Sequence, residues 1–208
     1  QQVSAMEATK AAVTTLLDYV ATYRNDGTLY RASDMVLAVH ANAGFHNESK
    51  GRSRAGAHIF LSKNEPFPRW NGAILSIAQV IKFVMTSAAE AELGTLFIAA
   101  QKVLPLHQTL IKMGWLQPPT PVKIDSTMTV GVVNKTPVSH KLKSMDLRYH
   151  WLCCHAAQDQ LHFYWNKEPN NWGNYSTKHY PPIYHESKRL LFVSTASLLH
   201  HTLLCQAQ

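Results

Sequence analysis

The stretch that decides the fold reads Met35-Val36-Leu37-Ala38-Val39-His40-Ala41-Asn42-Ala43. Its apolar residues up to His40 are typical of a strand in the middle of a sheet. Further strands are predicted over Ala57–Ser62 and Ala73–Phe83. The turns between these strands are predicted at Gly51–Arg54 and Asn64–Pro68. Three consecutive antiparallel strands should therefore open the main domain.

Helical and strand patterns alternate after the third strand. The predicted elements are, in chain order, a helix over Thr86–Met113, a strand over Val122–Asp125, a short helix over Ser126–Asn134, a helix over Leu142–Ala157 and a strand over Leu161–Trp165. Pro105 lies inside the first of these helices and should kink or divide it. With the two helices between the fourth and fifth strands counted as one helical segment, and with the last helix after the fifth strand, the order is βββαβαβα. This order predicts an α/β fold, with a five-stranded mixed sheet flanked by helices on both faces.

The two ends of the chain have patterns of their own. Ser4 and Glu7 form a capping box ahead of apolar residues at helical spacing, which predicts a packing helix over Ala5–Tyr23 as an N-terminal extension. The apolar run Leu190–Leu204 is too short and too polar to cross a membrane, and we expect a docked helix or a frayed tail. The predicted domains are residues 1–34, residues 35–180 and residues 181–208.

Composition describes a globular, basic protein. The chain has 208 residues, 46% hydrophobic and 16% charged, and a formal net charge of +7. This charge favours encounters with polyanions but does not by itself identify nucleic acid. The three cysteines, at 153, 154 and 205, make no even disulfide framework, and no signal peptide follows Gln1. We expect a piece of a longer intracellular protein, cytoplasmic or nuclear and not secreted.

Four polar side chains sit at the ends of predicted elements. Asn42 ends the first strand, Glu92 lies in the first turns of the main helix, Asp125 ends the fourth strand, and Asn174 precedes the last helix. Phosphodiester hydrolysis by two divalent ions needs acidic oxygens that converge from several strands and helix ends, and Mg²⁺ prefers oxygen ligands. Only two of these four side chains are carboxylates.

Six motifs, in one order, are similar to those of the ribonuclease H region of copia-type retrotransposon polyproteins, with the end of the reverse-transcriptase connection ahead of it. They are Leu16-Leu17-Asp18-Tyr19, Ala41-Asn42-Ala43, the residues 51–56, the residues 87–93, the residues 141–150 and Asn174-Tyr175-Ser176-Thr177-Lys178. The resemblance covers roughly Ala8 to Lys178. It implies a ribonuclease H-like fold, two Mg²⁺ ions as cofactor, and cleavage of the RNA strand of RNA/DNA hybrids.

The resemblance also assigns roles to the four polar residues. It makes Glu92 and Asp125 metal ligands, gives Glu92 a part in orienting the attacking water, and places Asn42 and Asn174 where the family has aspartates. A neutral amide offers Mg²⁺ a single carbonyl oxygen and no charge. We therefore expect hydrolysis to be severely weakened or absent. The asparagines are consistent with decay of the element or with deliberate introduction to trap a substrate.

A shift of the alignment would place the missing acids elsewhere. The nearby candidates Asp34 and Glu48, however, are predicted to be in loops. Outside the enzyme class, the chain is consistent with a non-catalytic nucleic-acid-binding or scaffolding module, or with an inert relic. The expected partners are an RNA/DNA hybrid or other nucleic acid and the rest of a reverse-transcriptase polyprotein, with no membrane partner.

Basic side chains offer candidate phosphate contacts. They are Arg52 and Arg54 from the predicted turn, and Lys141, Lys143 and Arg148 from a predicted helix start. A solvated basic face would look the same in the sequence. His150 and Cys154 share a predicted helical face as zinc ligands could, but a buried cysteine and a surface histidine are the simpler interpretation. Trp172 similarly fits the core better than a base-stacking site.

Overall fold

The computed structural model describes residues 7–133, 146–165 and 171–194. The chain forms two compact units, one of residues 30–180 and one that joins residues 1–29 to residues 181–208. The strands are β1 (Val36–Glu48), β2 (Arg52–Ser62), β3 (Ala73–Val80), β4 (Thr120–Lys123) and β5 (Leu161–Tyr164). The helices are α1 (Glu7–Thr22), α2 (Ala88–Lys112), α3 (Thr127–Val133), α4 (Asp146–Ala157) and α5 (Pro182–Phe192).

The larger unit is built on one sheet with the strand order β3-β2-β1-β4-β5. The first three strands pair antiparallel, while β4 pairs parallel to β1 and β5 parallel to β4. This arrangement confirms the predicted α/β fold with a five-stranded mixed sheet and helices beside it. β1, which contains the apolar stretch, is the central strand and pairs with β2 on one side and β4 on the other.

The core lies between the sheet and α2. Leu37, Val39 and Ala41 of β1 alternate toward this helix, as the two-residue period of a strand requires, and meet residues such as Leu96 and Val103. Of the two expectations for Pro105, a kink or a division of the helix, the division is wrong, since α2 is one helix from Ala88 to Lys112. Pro105 is exposed, whereas its neighbours on the other face are buried, so packing holds the helix across the missing backbone hydrogen bond.

The first hairpin is tighter than predicted. The turn occupies Ser49–Gly51, where Lys50 and Gly51 both have positive φ, and β1 extends through its polar end to Glu48. The predicted turn over Gly51–Arg54 is therefore wrong, because Arg52 and Arg54 are residues of β2. Glu48 is a strand residue, not a loop residue, and its carboxylate pairs with Arg54.

The smaller unit contains α1 and α5. Gly27 and Ser194 exchange two backbone hydrogen bonds, and Arg189 of α5 pairs with Asp26. The expectation of a packing helix is wrong for α1, because none of its residues is buried and Leu16 and Leu17 are each 61% exposed. The capping residue Ser4 and residues 195–208 lie outside the described residues. Within the described ranges, no helix has the length and apolarity that a membrane span requires.

Candidate functional site

Residues of β1, of the loop after β4 and of the start of α2 come together at the candidate site. The expectation that Asn42 ends the first strand is wrong, because β1 continues to Glu48 and Asn42 pairs with Gly56 inside it. β1 and β4 run parallel with Val39 opposite Val122, so Asn42 and Asp125 each lie three residues beyond this pair in the same direction. The start of α2 is fixed by Ser87, whose hydroxyl accepts the Glu90 N–H at 3.2 Å. This cap places Glu92 in the second turn of the helix.

Asn42, Glu92 and Asp125 line one small pocket together with Ala41, Thr95, Leu96 and Ile124. Asn42 is 9% exposed and Glu92 is half-buried, whereas Asp125 is exposed. The three side chains therefore line one pocket, with Asn42 buried and Asp125 open to solvent.

The fourth position joins them through a hydrogen bond. Asn174 lies in a 3₁₀ turn, Trp172–Ser176, and its Oδ1 accepts the Asn42 Nδ2 amide at 3.0 Å. The Ala43 N–H donates to Asn42 Oδ1 at 2.8 Å, which fixes the orientation of that amide and leaves its nitrogen to donate. The Tyr180 hydroxyl also donates to Asn174 Oδ1, at 3.2 Å. The structure thus gathers all four sequence-predicted positions.

The two carboxylates occupy different environments. Burial raises the pKa of Glu92, and the Asp125 charge raises it further; hydrogen bonds from Thr129 and Ser126 act in the opposite direction. The Thr129 hydroxyl donates to Glu92 Oε2 at 2.8 Å. Glu92 therefore keeps its proton to a higher pH than an ordinary glutamate does.

Asn171 is a site residue that the sequence reasoning missed. Its Nδ2 donates to Asp125 Oδ1 and to the Ala41 carbonyl, both at 2.8 Å, while its Oδ1 accepts the Gly173 N–H. Asn171 is buried and caps the 3₁₀ turn. An asparagine directly before a turn is an N-cap signal and could have suggested the cap, but not the contact with Asp125.

The side chains at this site do not fit two Mg²⁺ ions. Glu92 and Asp125 supply only two carboxylates, and the Asn42 and Asn174 oxygens already accept hydrogen bonds. Among the described residues, no group of three or more His, Cys, Asp or Glu could hold a metal ion. His150 and Cys154 on α4, which were considered as zinc ligands, therefore belong to no such group.

The predicted phosphate-binding side chains have partners inside the protein or lie outside the described residues. Arg52 donates to the Ser49 carbonyl and hydroxyl, and Arg54 pairs with Glu48. The Arg148 guanidinium lies 3.8 Å from the centre of the Phe83 ring, a cation–π contact. Lys141 and Lys143 lie in residues 134–145, outside the described ranges.

Trp172 is 7% exposed, as expected for a core residue. It lies 5.1 Å from Trp70 between ring centroids. Trp172 is therefore in no position to stack on a base.

Comparison with solved structures shows what this arrangement of strands and helices is. LC11-RNase H1, isolated from compost by a metagenomic approach, superposes with a TM-score of 0.51 and 14% identity over 69% of this chain and 93% of that chain. The fold is ribonuclease H-like. At this identity the likeness establishes the fold alone.

Two further solved structures are similar at lower scores. LC11-RNase H1 in complex with an RNA/DNA hybrid gives a TM-score of 0.47 and 13% identity, over 68% of this chain and 93% of that chain. The PFV RNase H domain gives 0.38 and 16%, over 68% of this chain and 88% of that chain. No protein-family model matches this chain. No curated protein matches it either.

Proposed function

We propose that this chain is a ribonuclease H-like domain derived from a copia-type retrotransposon polyprotein, in which two-metal cleavage of RNA/DNA hybrids is lost or severely weakened. The observation that carries the proposal is the hydrogen bond from Asn42 to Asn174 at two of the four ancestral ligand positions. Glu92 and Asp125 are the two ligand positions that remain acidic. In this proposal residues 1–34 are the end of the polymerase connection, residues 35–180 the ribonuclease H-like domain, and residues 181–208 a C-terminal helix or tail.

Charge is the physical reason for the loss. Two Mg²⁺ ions bring four positive charges to a site where Glu92 and Asp125 offer two negative ones. The amide oxygens of Asn42 and Asn174 add no charge and would have to give up hydrogen bonds to reach an ion. Since the cleavage reaction depends on both ions, weaker ion binding removes both the activated water and the stabilised leaving oxygen.

Restoring the acids tests the proposal. The Asn42→Asp/Asn174→Asp chain is incubated with Mg²⁺ and a hybrid whose RNA strand is labelled, beside the reference chain. We expect cleavage by the double variant and none by the reference chain above the protein-free rate. A third chain that adds Asp125→Asn to the double variant should lose the gained cleavage, which excludes a contaminating nuclease. Cleavage by the reference chain at the rate of the double variant, or no gain in the double variant, would refute the proposal.

A second function is favoured by the charge of the chain. A formal net charge of +7 on a retained ribonuclease H-like fold fits a non-catalytic module that still binds a hybrid or scaffolds the rest of a reverse-transcriptase polyprotein inside the cell. Arg52, Arg54, Lys141, Lys143 and Arg148 would contribute to such binding. Hybrid retention by the reference chain that falls as salt rises, without cleavage, would favour this module over an inert relic.

A further inference from the structure

The two asparagines at the site satisfy one another. Asn42 uses its oxygen for the Ala43 N–H and its nitrogen for Asn174, whose oxygen also accepts the Tyr180 hydroxyl. A weaker contact of 3.5 Å joins Asn42 Nδ2 to the Thr177 hydroxyl. We call this set, Asn42, Asn174 and Tyr180, the amide interlock. It links β1 to a turn more than 130 residues away in the chain.

The turn held by the interlock also lies close to β1 at the main chain. A Cβ on Gly173 would come within 2.8–2.9 Å of the His40 carbonyl oxygen and of backbone atoms of Ala41 and Asn42. Asn171 adds a hydrogen bond to the Ala41 carbonyl from the other end of the turn. The hydrogen bonds of the interlock and the bond to Ala41 need no ion, because each joins a neutral donor to a neutral acceptor.

Carboxylates at both interlock positions would replace this attraction between the two side chains with repulsion. Two ionised side chains at hydrogen-bond distance cannot donate to one another and repel, and a cation placed between them removes the repulsion. A single carboxylate is different, because the remaining amide can still donate to it, and such a bond is stronger than a neutral one.

We infer that the amide interlock makes the stability of the folded state independent of divalent cations, and that acids at both positions would make this stability depend on them. This inference rests on the proposed function only in taking residues 42 and 174 as former ligand positions. It concerns folding, so it stands or falls separately from any cleavage.

The test is a double-mutant cycle in thermal unfolding. Asn42→Asp, Asn174→Asp, the double variant and the reference chain are each unfolded with EDTA and with Mg²⁺ at matched ionic strength. Asn64→Asp serves as the control, because it adds the same charge at an exposed residue that is far from the turn in sequence. The single variants and the control should match the reference chain in EDTA within about 2 °C, as expected for sites that keep their hydrogen bonds.

The double variant should behave differently. In EDTA we expect the Tm of the double variant to fall by roughly 3–8 °C more than the summed Tm shifts of the two single variants, because residues in contact are energetically coupled. Mg²⁺ should recover most of that loss in the double variant, and it should shift the Tm of the two single variants and the reference chain by no more than that of the control. A double variant that is folded only with Mg²⁺ would be the extreme form of the same result.

Three outcomes would overturn the inference. In one, the Tm shifts of the two single variants in EDTA add up to that of the double variant. In another, Mg²⁺ raises the Tm of the reference chain by more than it raises the Tm of the control. The third is a double variant that is unfolded under both conditions while a single variant is also strongly destabilised. Because unfolding is measured without substrate, a double variant that is stabilised by Mg²⁺ yet cleaves no hybrid would refute the proposed function and leave the interlock intact.

Discussion

Acid should destabilise this protein through His40, a buried histidine of the central strand. Its side chain is 4% exposed, and its Nδ1 accepts the Trp172 N–H at 3.3 Å. In the sheet it stands between His58 on β2 and Lys123 on β4. Burial, together with the smaller effects of the Lys123 and His58 charges, lowers the pKa of His40 to about 3.

The size of the effect follows from the distance between the folded and unfolded pKa values. An unfolded histidine titrates near its ordinary pKa of 6.5, so below that pH the unfolded chain takes up a proton that folded His40 refuses. The free energy of unfolding therefore falls as the pH drops from about 6.5 to about 3 and is unaffected above that window. Between pH 7 and pH 4 the loss due to His40 is about 3 kcal/mol.

Urea unfolding of His40→Gln at both pH values measures this contribution. Glutamine cannot take up a proton, and its oxygen can still accept the Trp172 N–H, so the variant should lose about 3 kcal/mol less than the reference chain between pH 7 and pH 4. His162→Gln is the matched control, because it makes the same substitution at an exposed residue of β5. If the free energies of unfolding of the reference chain and of His40→Gln differ by the same amount at pH 7 and at pH 4, the reasoning is refuted.

Two more changes probe the surroundings of the site. Gly173→Ala should lower the free energy of unfolding, measured by denaturation, by roughly 2–3 kcal/mol, because the added methyl group would clash with main-chain atoms that cannot move away. Gly131→Ala in α3 is the control, since its methyl group meets nothing within 4 Å and the change should be neutral or stabilising in the same assay. Thr129→Val removes a hydrogen bond that favours ionised Glu92, so the pKa of Glu92 should rise further in an NMR titration; an unchanged pKa would show that the hydroxyl does not contribute.

Much of the fold could be predicted because the core strands and α2 carry strong periodic patterns. The apolar stretch before Asn42 and the long helix with its cap at Ser87 lie close to their predicted places. The errors came where tertiary contacts outweigh local preference. Glu48 belongs to a strand although its surroundings are polar, because Arg54 across the hairpin pairs with it. Pro105 remains helical because the buried face of α2 packs on the sheet.

The candidate site was less accessible from the sequence. The four positions were suggested by a resemblance, since nothing in the spacing of Asn42 and Asn174 indicates that their amides touch. Asn171 contacts Asp125 across a sequence separation of 46 residues, and such a contact has no local pattern. The exposure of the apolar face of α1 was also unpredictable, because periodicity identifies a face but not whether anything covers it.

Gly56 and Gly173 face one another across the site, and this closeness affects how sequence drift in the region should be interpreted. A Cβ on Gly56 would meet the Gly173 carbonyl oxygen at 2.4 Å, so strand and turn touch where neither residue has a side chain. Both glycines are thus required by packing whether or not any chemistry takes place beside them. Their persistence in a lineage would report selection for a foldable chain, and only residues free of such steric demands could report selection for catalysis.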